Sequence, residues 1–133
     1  MAVELPPGYQ PSADEEFMNP KQVEYFRQRL ETSRADLLRE LGAITQPESD
    51  IGREGDQTDH ASANSEREFE IQNRKRIQML LRQTERALSR LENGAYGYCE
   101  DTGEPIGLKR LIAQPTTSLS LEAQQVRERR IDR

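Results

Sequence analysis

One cysteine and a pair of aspartates are the residues whose spacing invites chemistry. Cys99 stands in Tyr96-Gly97-Tyr98-Cys99-Glu100-Asp101-Thr102-Gly103. This is the outline of a zinc knuckle, C-x-x-C-G, with Thr102 in place of the second cysteine. Seventeen residues lie between Thr102 and Ser120, where a second pair belongs, and there the chain reads Ser120-Leu121-Glu122-Ala123. Structural zinc takes thiolates, imidazoles or carboxylates, and Ser, Thr and Ala do not replace them. Zinc is therefore not expected. A single cysteine closes no intramolecular disulfide. The sequence predicts Cys99 as a small buried hydrophobe. Apolar side chains and the hydroxyls of Thr102 and Ser120 then hold the surrounding segment in place of metal.

Asp56 and Asp59 lie in Gly55-Asp56-Gln57-Thr58-Asp59-His60-Ala61. Three residues apart at the entry to a helix, their carboxylates suit capping, because they accept N–H bonds and favour the positive end of the helix dipole. The same acids on the apex of a stiff rod also suit a probe delivered into a partner, and the two readings coexist. His60, the only histidine, has no nearby Cys or His and is expected to be an exposed tip residue. There is no P-loop, G-x-S-x-G, G-x-G-x-x-G or Cys–His pair, so no enzyme is expected.

The elements that position these residues follow from punctuation and periodicity. Asn19-Pro20 starts a helix, since Asn caps and Pro fits the first turn. Val23, Phe26, Leu30, Leu37 and Leu41 then form a heptad-like seam, widened by Leu38 and Ile44. Pro47, Gly52 and Gly55 end it. A second helix runs from about Ala61 to Asn93-Gly94, a strong stop, with Phe69, Ile77, Leu80, Leu81, Ala87, Leu88 and Leu91 as its apolar positions. The two should fold back as an antiparallel rod of roughly 40–50 Å, stable because their seams bury each other. Residues 94–119 are rich in Gly and Pro, with Tyr96, Tyr98, Ile106, Leu108, Leu111 and Ile112 available for a small core. Ser118 or Ser120 then caps a last helix. The predicted fold class is α, in three parts. These are an irregular arm at 1–19 packing near the lobe, a coiled-coil hairpin at 20–93 with an acidic tip at 48–61, and a degenerate zinc-finger lobe with a C-terminal helix at 94–133.

Composition agrees. The 133 residues are 33 % hydrophobic and 32 % charged, with seven aromatics and no Trp, which suits long solvated helices better than a thick core. Net charge is −5, unlike the basic face of a duplex-DNA binder. It is unevenly placed. Residues 48–68 hold seven acids and two bases, and residues 74–90 hold six bases and one acid. No signal peptide or membrane span is visible, so a cytoplasmic protein is expected.

These residues resemble the DksA/TraR family of RNA polymerase-binding regulators over about 17–133. The resemblance rests on Asp56-x-x-Asp59-x-Ala61, on Asn73-Arg74-x-Arg76, and on Gly97-Tyr98-Cys99-Glu100-x-x-Gly103-x-x-Ile106-Gly107-x-x-Arg110-Leu111-x-Ala113-x-Pro115-Thr116. It implies a monomer that binds RNA polymerase rather than promoter DNA. The hairpin would enter the secondary channel formed by the largest subunit and bring Asp56, Asp59 and Ala61 near the trigger loop and catalytic Mg²⁺. Asn73, Arg74 and Arg76 would be polymerase-binding residues of the shaft. It further implies shortened open-complex lifetimes. With the alarmone ppGpp as co-effector, it implies stringent-response repression of ribosomal RNA promoters and support of some amino-acid biosynthesis promoters. The family's zinc positions fall on Cys99, Thr102, Ser120 and Ala123, and its ppGpp positions on Leu80, Gln83, Gln114 and Gln124. Three of those four are uncharged glutamines, for which Lys109, Arg110, Arg82, Arg86 or Arg127 would supply the missing charge. A channel-binding transcript-cleavage or anti-arrest factor and a plain coiled-coil adaptor are the alternatives.

Overall fold

The structure, a computed structural model, describes residues 3–44 and 60–131, and of residues 60–63 the backbone alone. Four helices follow in order: α1 (Pro20–Ile44), α2 (His60–Asn93), α3 (Leu108–Ala113) and α4 (Leu121–Ile131). No strand occurs among the described residues; Tyr98 and Pro105 form an isolated antiparallel bridge.

Three of the predicted stops and starts form helix ends, and Pro47, Gly52 and Gly55, expected to end the first helix, lie outside the described residues. Asn19 Oδ1 accepts the N–H groups of Lys21 (2.9 Å) and Gln22 (3.1 Å), with Pro20 in the first turn. Gly94, at φ 76°, takes the left-handed conformation past Asn93, and the N–H groups of Ala95 and Tyr96 close back on the Arg90 carbonyl. Ser120 Oγ accepts the Ala123 N–H at 3.1 Å and caps α4.

α1 and α2 are antiparallel neighbours. Arg34 faces Glu85 at 3.9 Å, and lower down Phe26 meets Tyr96 with ring centroids 5.5 Å apart. The core gathers at this root, where Phe26 and Leu30 of α1, Ala87 of α2, and Tyr96 and Leu111 beyond it are buried together. Phe17, Met18, Ile106 and Leu108 pack around them, so the arm and the segment after α2 share one core with the hairpin.

Three apolar expectations fail, at Phe69, Ile112 and Leu38. Phe69 is 73 % exposed. It lies sixteen residues beyond Glu85, ~24 Å along α2, whereas α1 runs on only ten residues from Arg34, ~15 Å, so α1 as described does not reach it. Ile112 is 37 % exposed; Leu111, beside it, is the residue that turns into the core. Leu38 is also exposed, and Val23, Leu37 and Leu41 are half-buried.

Buried polar groups replace part of the expected seam. Gln22 is fully buried. Its Oε1 accepts the Met18 N–H at 2.8 Å, and its Nε2 donates to the Ser12 carbonyl and to Glu15 Oε1, which also accepts the Tyr9 hydroxyl. The arm is thereby fastened to α1. Thr84 is buried in α2 and donates to the Leu80 carbonyl at 2.8 Å, which satisfies its hydroxyl within the helix.

Candidate functional site

The zinc-knuckle outline folds as a tight hairpin. The Cys99 N–H donates to the Glu104 carbonyl, the Gly103 N–H to the Cys99 carbonyl and the Ile106 N–H to the Gly97 carbonyl, each at 2.8 Å. Glu100 stitches this hairpin to its surroundings. Its N–H donates to the Ser118 carbonyl at 2.8 Å, and its carboxylate accepts Arg90 Nη1 at 3.0 Å and the Ser118 hydroxyl at 3.1 Å. Arg127 of α4 makes a two-armed pair with Asp101, which holds that carboxyl below its usual range.

Cys99 is 3 % exposed, as expected of a small hydrophobe, but its surroundings are not apolar. Burial by itself pushes the thiol up. Hydrogen bonds from the backbone and hydroxyl of both Ser120 and Thr102 outweigh it and bring the group down to about 6. Three of the four zinc-knuckle positions thus meet around one sulfur. Ala123, the fourth, supplies the N–H that Ser120 Oγ accepts. One thiol, two hydroxyls and a methyl group are not a donor set for structural zinc, and no group of three or more His, Cys, Asp or Glu able to hold a metal occurs among the described residues. The residues do not fit the ion. The lowered thiol was not legible from residue order, because it depends on where Ser120 stands relative to Cys99 after folding.

The tip residues Asp56 and Asp59 lie outside the described residues. Ala61 falls in the first turn of α2, of which only the backbone is described. On the shaft, Asn73, Arg76, Leu80 and Gln83 recur at intervals of 3, 4 and 3 and share one side of α2. Arg76 Nη2 donates to Asn73 Oδ1 at 3.0 Å. Arg74 turns away from this side, and its Nε is buried with no hydrogen-bond partner.

The remaining glutamines are separated. Gln83 lines a cavity of about 220 Å³ with Arg86, Thr116, Thr117 and Ser118. Gln114 ends α3 and lines a larger groove of about 870 Å³ with Lys109 and Arg110. Gln124 is engaged at both ends of its amide: Arg110 donates to its oxygen, and its nitrogen donates to Glu128 at 3.0 Å. Arg110 also holds the Leu119 carbonyl at 2.9 Å. Of the cations expected to replace missing charge, Arg110 and Arg127 are thus already bonded, and Arg82 lies on another side of α2 from Gln83. Arg86 shares the Gln83 cavity.

Comparison with known proteins supplies the setting. Residues 22–91 match the family described as DnaK suppressor protein DksA, N-terminal domain. Residues 94–129 match the prokaryotic dksA/traR C4-type zinc finger. The chain is 45 % identical over 123 residues to the RNA polymerase-binding transcription factor DksA of Caulobacter vibrioides, covering 92 % of this chain and 87 % of that one. It is 34 % identical over 121 residues to the protein of the same name in Escherichia coli K12, covering 90 % and 80 %. The solved structure of transcription factor DksA2 from Pseudomonas aeruginosa superposes with a TM-score of 0.81 at 35 % identity, covering 93 % of this chain and 95 % of that one. The RNA polymerase binding protein and transcriptional regulator Dks from Chlamydia trachomatis superposes at 0.54 and 24 % identity over 86 % and 95 %, a likeness of fold alone.

Proposed function

The chain belongs to the DksA/TraR family, and from that membership we propose that it is a transcription regulator acting by binding RNA polymerase. The observation that carries this is the continuous likeness of hairpin and lobe together, at a TM-score of 0.81, to a solved transcription factor of the family. A domain shared only in the lobe would leave the hairpin unexplained. In this reading the hairpin enters the secondary channel of the polymerase, in its largest subunit, and brings Asp56, Asp59 and Ala61 toward the trigger loop. Asn73 and Arg76, joined by a hydrogen bond on one side of α2, contact the channel entrance. The chain works as a monomer in the cytoplasm and performs no catalysis of its own. No helix among the described residues is long and apolar enough to cross a membrane.

The co-effector is ppGpp, bound on the polymerase complex and bordered by Leu80, Gln83 and Gln114. Arg86, in the cavity with Gln83, is the cation placed to meet a phosphate. Gln124 acts by positioning Arg110 rather than by meeting the ligand.

The test is open-complex lifetime on a ribosomal RNA promoter, with and without ppGpp. The parent chain shortens the lifetime, and more so with ppGpp. Asp59→Asn keeps its capping ability, since Asn caps about as well as Asp. It should bind polymerase within about tenfold of the parent, roughly 1.4 kcal/mol, yet lose most of the effect on lifetime. An Asp59→Asn chain that shortens the lifetime as the parent does would make these carboxylates helix caps only.

A further inference from the structure

Two arginines, one from each helix of the rod, end on the backbone of the lobe. Arg29 of α1 donates through Nη1 to the Ile112 carbonyl at 2.8 Å. That carbonyl lies in the last turn of α3, where helix carbonyls lack partners and a cation is favourable. The Arg29 guanidinium also stands 5.9 Å from the centroid of the Tyr25 ring. Arg90 of α2 donates to the Ala95 carbonyl at 3.1 Å, to the Tyr98 carbonyl, and to Glu100 Oε1 at 3.0 Å. Glu100 in turn accepts the Ser118 hydroxyl. The two side chains therefore grip different parts of the lobe, the end of α3 and the hairpin that holds Cys99.

The length of the rod makes these grips consequential. From Asn93 to His60, α2 runs for ~50 Å. On that length a tilt of about 5° at the root displaces the far end by about 4 Å. The buried cluster of Phe26, Leu30, Ala87, Tyr96 and Leu111 opposes separation of rod and lobe, but apolar burial is non-directional and sets an angle poorly. The covalent link from α2 into the lobe passes through Gly94 at φ 76°, a residue type with little conformational restriction. Planar guanidinium donors are directional, and attachments to two separate segments oppose tilt about more than one axis. We infer that Arg29 and Arg90 are positioning residues, which set the angle between rod and lobe and so fix where the far end of the rod comes to rest on the polymerase. This rests on the polymerase-binding function proposed above. A role in stability alone would lower affinity and effect together, whereas a wrong angle is a fault of the complex once formed.

The experiment compares the full chain with Arg29→Met and Arg90→Met, singly and together. It reads binding to RNA polymerase holoenzyme and the shortening of open-complex lifetime at saturating protein. Methionine keeps an apolar stem and removes the donors. Each variant should bind within about fivefold of the parent, because the loss of a partly exposed pair costs little. The effect on lifetime at saturation should fall by at least about tenfold, since misplacement on the ångström scale is felt that strongly at a reacting centre. With benzoylphenylalanine in place of Asn64, exposed near the far end of the rod, the parent should crosslink to one polymerase segment and the variants to several. Arg29→Lys keeps a donor and should act as the parent does. If Arg90→Met does not fold, Arg29→Met decides alone. Variants that shorten the lifetime and crosslink as the parent does would leave the angle to the apolar core and overturn the inference. Affinity and effect that fall together, with crosslinks unchanged, would make both residues structural and overturn it as well. A parent with no effect on lifetime overturns the proposed function and this inference with it.

Discussion

A thiol surrounded by hydrogen-bond donors carries a pH signature. In the folded chain Cys99 is brought down to about 6, whereas an unfolded thiol titrates near ~8.5. Between those values the unfolded chain binds more protons, so stability rises with pH across the interval. The contribution is complete above the unfolded value and is lost as pH falls through about 6. Thiolate absorbance should therefore titrate near that value, and Cys99→Ser should remove this part of the stability–pH curve. A midpoint near the unfolded value would sink the reading. Gly97 makes a second residue-scale demand. It sits at φ 93°, and an added Cβ would stand 2.9 Å from Met18 Cγ and Sδ. Gly97→Ala should cost about 1–3 kcal/mol in chemical denaturation. Met18→Ala in the same chain should relieve only the contact and leave the backbone part of the loss.

At the scale of elements, the helix boundaries were legible and the fastening of the arm was not. Asn19-Pro20, Asn93-Gly94 and Ser120 act within one turn of their own position, so the local sequence is enough to find them. Gln22 is different. Its place in the seam looks like a polar interruption until the arm returns Ser12, Glu15 and Met18 to it, and that path has no periodicity to follow. Gln22→Met keeps the volume and removes the partners of the Met18 N–H and the Ser12 carbonyl. It should lower stability by about 1–3 kcal/mol and make residues 3–19 the first site of protease cleavage. Parent-like denaturation and cleavage would show the arm to be held by its aromatic contacts instead. The same network sets a limit in acid. Hydrogen bonds from Tyr9 and then Gln22 hold the Glu15 carboxyl below its usual range. Its contribution is therefore present above the ordinary carboxylate value, is lost as pH falls through the lowered one, and is absent from Glu15→Gln. Tyr9, for its part, is pushed up to about 12 by burial and by Glu15.

For the whole molecule, the fold class was readable because seams, stops and the degenerate knuckle all pointed to one architecture. The chemistry around Cys99 and the separation of Gln83, Gln114 and Gln124 were not readable, since they depend on how residues far apart in the chain meet. The metal question is settled by a measurement on the intact protein. Purified chain should contain no stoichiometric zinc, and a chelator should leave the melting curve in place, because no metal supplies folding energy. One zinc per chain by elemental analysis would overturn this. The shared core at the hairpin root also bears on protein engineering. Phe26 and Leu30 come from α1, Ala87 from α2, and Tyr96 and Leu111 from the segment that follows. A graft that exchanges residues 94–133 with a relative's would bring Tyr96 and Leu111 without the surfaces they were fitted to. A working chimera has to carry the foot of both helices across with the transplant, and its junctions belong partway up the rod, above Leu30 and Ala87, rather than at the Asn93-Gly94 break where the chain itself changes character.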